Sequence, residues 1–158
     1  MAGRGEPTEK TTTLWRWNNV PLPEPHVVGI LLGGALHLTR PLRLPGSSRL
    51  YGGVGWTLAL AGVAISVSAV RAASDVALDR PCALVWTGPY ARSRNPMYVG
   101  WTLLYLGTAL ITRNSWMLLS LPLVGLIIHR EILKEERALE EAFGEEYVRY
   151  RELARRYV

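Results

Sequence analysis

Residues 51–70 read YGGVGWTLALAGVAISVSAV, twenty positions without one charged side chain. At 1.5 Å per residue such a helix rises about 30 Å, the thickness of a bilayer's hydrocarbon core. Gly52, Gly53, Gly55 and Gly62, with several Ala and Ser, give it a face of small residues on which a second helix can lie closely. The reading of this block decides the fold, because three more of its kind surround it. Residues 27–38, 99–112 and 116–128 hold no Asp, Glu, Lys or Arg. A soluble domain spaces its apolar residues at helix or strand period, whereas these blocks are apolar all round. Four of them in 158 residues are too many for one soluble core.

The expected fold is therefore an all-α integral membrane protein. It has about four transmembrane helices, near residues 26–39, 51–70, 97–112 and 115–130. Cytoplasmic amphipathic C-terminal helices follow over 131–143 and 145–157. Residues 20–158 form one membrane domain, preceded by a disordered or interfacial tail over 1–19, where Trp15 and Trp17 flank Arg16 as headgroup-level anchors. The first 19 residues are polar, so no cleavable signal is expected there. Pro21, Pro23 and Pro25 set the first helix to begin near His26, and Gly29, Gly33 and Gly34 suit it to close packing. The third and fourth spans form a hairpin through Arg113, Asn114 and Ser115, and Pro122 is expected to kink the fourth.

Charge sets the orientation. The segments before the first span, after the second and after the fourth carry fourteen of the 18 Lys and Arg. The opposite side carries Arg40, Arg43, Arg49 and Arg113. Positive charge is retained on the cytoplasmic side, which places both termini there. The net charge of +5 then reflects a surface facing anionic lipid and needs no nucleic acid. Cys82 is the single cysteine and excludes an intrachain disulfide. No metal-ligand spacing occurs.

Two polar stretches can carry chemistry. From His129 the chain becomes a charged helix, and at 100° per residue Ile132, Glu136, Leu139 and Phe143 share one stripe. Glu136 thus sits in the middle of an apolar face, where an acid needs a cationic partner or a proton. Gly144 reads as a helix C-cap. Beyond it, Tyr147, Tyr150, Leu153, Ala154 and Tyr157 form one face of a second amphipathic helix. The other stretch is TGPYARSRNPMYVG, residues 87–100, on the same side by the charge count. It combines a stiff Gly88-Pro89 step with two tyrosines, two arginines and the amide of Asn95. Spacing alone leaves two readings open: a ligand cradle, or an interfacial turn with tyrosine anchors.

Residues 84–107, LVWTGPYARSRNPMYVGWTLLYLG, resemble a stretch shared by isoprenylcysteine carboxyl methyltransferases, phospholipid N-methyltransferases and related bacterial membrane methyltransferases. Residues 135–158, EERALEEAFGEEYVRYRELARRYV, are similar to that family's second element. Asn95 stands where many relatives have His, and the chain has fewer spans than the larger prenylcysteine enzymes. The resemblance implies an S-adenosylmethionine-dependent methyltransferase, most akin to members of bacterial or archaeal inner membranes. Its acceptor would be lipophilic, an isoprenylcysteine-like carboxylate or a phospholipid amine, reached among membrane lipids. It implies cofactor contacts from Gly88, Pro89, Tyr90, Arg94, Asn95, Tyr98, Glu135 and Glu136. Glu136 is also the candidate catalytic group, as an aid to deprotonation of an amine. Arg130 is a second, placed to orient an anionic acceptor. The acceptor is expected to enter a groove lined by the small residues of the second span, Trp101 and Tyr105. His37 and His129 read as packing or interfacial residues. Two other readings stand beside this one: a non-catalytic membrane packing module, and an NADPH-dependent sterol-type reductase.

Overall fold

The structure, a computed structural model, describes residues 23–74 and 83–158. The tail over 1–19, its Trp15–Arg16–Trp17 anchor and Cys82 lie outside the described residues. Among the described residues five α-helices follow in order: α1 Glu24–Thr39, α2 Ser48–Ala72, α3 Pro96–Ile111, α4 Ser115–Phe143 and α5 Glu145–Leu153, with a 3-10 turn Gly88–Ala91 ahead of α3. Among the described residues there is no β-strand, only two isolated bridges.

Local chemistry accounts for the helix ends. Proline in the first turn starts α1 and α3, where a missing N–H costs nothing. The Ser47 hydroxyl accepts from Leu50 N at the head of α2, and Asn114 Oδ1 accepts from Trp116 N and Met117 N at the head of α4. Gly144, at φ 53°, ends α4 as expected.

Of the four expected spans, two among the described residues are helices long and apolar enough to cross a membrane, α2 and α4. Helices α1 and α3 have 16 residues each, a rise of about 24 Å, short of the roughly 30 Å hydrocarbon core. The first stops at Thr39, next to Arg40 and Pro41, and the second is bounded by Pro96 and by the positive-φ Arg113. Most of the apolar surface of α2 and α4 is left uncovered by the rest of the chain. Leu31, Leu60 and Leu123 are 66%, 63% and 62% exposed. The core helix of a soluble protein hides such side chains.

Inside the bundle, α2 lies on α3 through glycines seven residues apart. A Cβ at Gly62 would come within 2.5 Å of Gly100 O, and one at Gly55 within 2.9 Å of Gly107 O. Helix α1 lies on α4, with Gly33 against Met117 and Gly29 against Tyr105 and Val124. Gly34, Gly52 and Gly53 face open space and contribute nothing to packing. Tyr105 is fully buried and donates to Met117 O at 3.1 Å, so it belongs to the core rather than to a groove wall. At one end of the bundle the α1–α2 and α3–α4 loops are tied together. Leu44 N donates to Arg113 O, the Arg113 guanidinium donates to Leu44 O, Ser115 N donates to Leu42 O, and Asn114 Nδ2 donates to Gly33 O. Pro23 and the C-terminal helices accordingly lie at the other end.

The C-terminal half differs from expectation in two ways. The expected fourth span and the helix over 131–143 are one continuous 29-residue helix, α4, which runs through Pro122. The expected helix over 145–157 stops at Leu153, which is 78% exposed. Ala154 is extended (φ −111°, ψ 135°) because the following residues pair with the loop before α3. Arg94 N donates to Arg155 O at 2.7 Å and Arg155 N to Arg92 O at 3.0 Å.

Candidate functional site

The loop before α3 is shaped by Gly88, whose φ of 59° is left-handed and whose Cβ would meet Ala72 at 3.3 Å. The turn it opens buries Tyr90 against Ala69, Val70, Ala73 and Met97. The Tyr90 carbonyl accepts from the Tyr150 hydroxyl at 2.8 Å, which binds the loop to α5. Asn95 sits at the N-cap of α3 but does not cap it. Its amide instead donates to Glu136 Oε1 at 3.3 Å and to Arg156 O at 3.1 Å.

These contacts converge on Glu136, 7% exposed on the buried stripe of α4 below Val124, Ile128 and Ile132. Arg94 donates to its Oε1 from Nε at 3.2 Å and from Nη2 at 3.0 Å. Arg156 grips the other edge, Nη2 to Oε2 at 2.9 Å and Nε to both oxygens at 3.1 Å. The remaining nitrogen of Arg94 donates to Arg151 O and Ala154 O. Burial pushes the Glu136 carboxyl up, but the hydrogen bonds from Arg156 and Arg94 outweigh it and hold the acid below its usual range. The acid on an apolar face thus has its cations within the chain.

Glu135, next along the helix, is placed differently. Among the described residues its carboxylate accepts one side-chain hydrogen bond, from the Tyr98 hydroxyl at 2.6 Å. The residue is exposed, yet its carboxyl end is withdrawn from water, which pushes it up; the Tyr98 hydrogen bond opposes this and Glu131 adds to it, leaving the acid above the usual range. Tyr98 also lines a cleft of about 280 Å³ between α3 and α4, with Val99, Thr102, Leu103, Gly125, Ile128 and Tyr157. No residue of α2 lines it, and neither Trp101 nor Tyr105 does, so this cleft is not the groove expected along the second span.

The structure therefore brings Arg94, Asn95 and Glu136 into contact, pairs Tyr98 with Glu135, and sets Gly88, Pro89 and Tyr90 as the turn beneath α5. Arg130 stands apart. It is exposed, about 120° around the helix from Glu136, with no side-chain partner among the described residues. Sequence reading gives Arg156 and Ser93 no place at the site, and puts Tyr157 on the face of a helix rather than in the cleft wall. Helical periodicity puts Arg156 on the polar face of a helix that in fact ends three residues earlier. Ser93, whose hydroxyl accepts from Asn95 N at 3.2 Å, is marked by nothing in the spacing.

A family model described as phospholipid methyltransferase matches residues 51–146, 96 of the 158 residues, from the start of α2 into α5 and across both the loop and the carboxylate pair. No curated protein matches the chain.

Proposed function

The chain belongs to the phospholipid methyltransferase family, whose activity is methyl transfer at a membrane, and from that premise we propose that it methylates a lipophilic acceptor with S-adenosylmethionine. The donor would lie between the Gly88–Ala91 turn and the carboxylate pair, on the side of the bundle that carries most of the basic residues and that we take as cytoplasmic. The donor is a sulfonium that also bears an α-ammonium, so it supplies an already activated methyl group. The observation that carries the reading is the division of labour between the two acids. Glu136 is saturated by Arg94, Asn95 and Arg156 and fixes the loop against α4. Glu135, held by one phenol at the mouth of the cleft, keeps lone pairs for a cation. Gly88, Pro89, Tyr90, Arg94, Asn95 and Tyr98 then shape the cradle, and Glu136 acts by ordering it.

In-line displacement on such a donor asks the protein mainly for position and exclusion of water. The α3–α4 cleft suits this, since aliphatic side chains make up much of its wall and Tyr98, which holds Glu135, forms part of it. Its occupant would be the head end of an acceptor lipid, with the tails along the uncovered apolar faces. The short helices α1 and α3 would complete a four-helix crossing by local thinning of the bilayer. Between the two acceptor classes, phospholipid amine and isoprenylcysteine-like carboxylate, the family match favours the first.

Incubation of the purified protein with methyl-labelled S-adenosylmethionine and native lipid extract tests this. Label should enter a chloroform-soluble amine lipid. Label confined to water-soluble acceptors, with folded protein, would refute the lipid assignment.

A further inference from the structure

The polar side chains of the cleft wall differ in what stands behind them. The Tyr98 hydroxyl donates to the Glu135 carboxylate. The Thr102 hydroxyl donates to Tyr98 O at 2.8 Å and lies 3.0 Å from Nε2 of the fully buried His26. The Tyr157 hydroxyl lies 2.5 Å from His129 Nδ1, with the rings 6.2 Å apart. A phenol that donates to an imidazole keeps lone pairs to accept a hydrogen bond from the cleft side. His129 sits where α4 passes from its apolar stretch into its charged one, and Tyr157 follows Arg156, which grips Glu136.

We propose that Tyr157 is a further catalytic residue, and that it passes the proton of an ammonium acceptor to His129. The inference rests on the lipid-methylating reading above and adds residues to it. An ammonium nitrogen has no lone pair with which to attack. With His129 carrying its proton on Nε2, the ammonium proton moves to the Tyr157 oxygen as the phenolic proton moves to His129 Nδ1. The phenol ends neutral, the imidazole becomes imidazolium, and the amine gains a free pair. That pair forms the new N–C bond as the methyl's bond to sulfur breaks, its electrons staying on sulfur. The imidazolium then releases its proton to water. A carboxylate acceptor needs none of this, so the pair acts only on amines. The ionisable groups around the pair are Glu136 and Arg156, which act on Tyr157, and the Tyr98–Glu135 pair across the cleft. A tyrosine phenol is protonated at neutral pH, the step's starting state, and partial withdrawal from water pushes that of Tyr157 further up.

The test compares wild type with Tyr157→Phe and His129→Gln in nanodiscs of dioleoylphosphatidylethanolamine and dioleoylphosphatidylcholine. Each variant should lower kcat at pH 7 by about 10²-fold with little change in KM. The deficit should shrink as rising pH frees the amine without help, and S-adenosylhomocysteine binding should be unchanged. Independently of turnover, ¹⁵N-histidine spectra should show the His129 ring gaining imidazolium character when phosphatidylethanolamine is added to wild type, but not to Tyr157→Phe. An undiminished kcat, a deficit constant with pH, or an unresponsive ring with cofactor binding intact would overturn the proposal. Loss of cofactor binding in wild type with the ring response retained would instead sink the methyltransferase site and leave Tyr157–His129 as an amine-recognition pair.

Discussion

Glu136 shows how much helical spacing says about a single residue and where it stops. Its place on an apolar stripe is legible in the sequence, and so is its need for a cation. The identity of that cation is not. Arg94 lies 42 residues away and Arg156 sits in a segment whose helix breaks at Leu153; helical periodicity cannot announce its own end where the cause is pairing with a distant loop. The consequence is measurable. Glu136→Gln removes the countercharge from Arg94, whose side chain is 7% exposed, and breaking one side of a buried pair costs about 3–5 kcal/mol. A lower melting temperature in detergent, with the Gly88–Ala91 turn losing hydrogen-exchange protection, is the expected result. The pH dependence follows from the same contacts. A carboxyl held low in the folded state contributes stability above the unfolded value of about 4.3 and loses it as pH falls through the lower folded value. Glu135 has the opposite sign, since its raised acid favours the folded state as it takes up a proton. Circular dichroism of wild type and Glu136→Gln between pH 3 and 7 should therefore converge at the acid end.

Among the elements, the α2–α3 pair is where composition and geometry meet. Glycine enrichment in residues 51–70 predicts close packing, and the structure assigns it to Gly55 and Gly62 while leaving Gly52 and Gly53 idle. Composition cannot make that distinction, because it depends on which face α3 occupies. Gly62→Ala should force the helices apart, since its Cβ would meet Gly100 O at 2.5 Å and Leu104 N at 2.8 Å, at a cost of about 1–3 kcal/mol. Gly53→Ala meets nothing and should stabilise the helix by roughly 0.5–1 kcal/mol. Thermal unfolding of the two variants, side by side, checks both signs. The C-terminal elements carry the clearest revision: one long α4 brings Glu135 and Glu136 out of the apolar stretch on a rigid rod, and the extended residues after Leu153 return to close the site.

For the molecule as a whole, the apolar blocks and the loop pairing make an antiparallel bundle whose candidate site lies at the end bearing most of the charge. The membrane character is legible at once in residues 51–70. The number of crossings is not, because α1 and α3 fall short of the hydrocarbon thickness and their apolar composition alone does not say so. The methyl-transfer assignment comes through motif resemblance and stands on the family match; the assignment of a cation to Glu135 rests on geometry. Calorimetric titration of S-adenosylmethionine into the folded protein tests that assignment most directly. Wild type and Glu141→Gln should bind alike, whereas Glu135→Gln should lose about 1.5–3 kcal/mol, the worth of a charge-assisted hydrogen bond, or roughly 10- to 150-fold in Kd. No binding by wild type, or equal affinity in all three proteins, would contradict it.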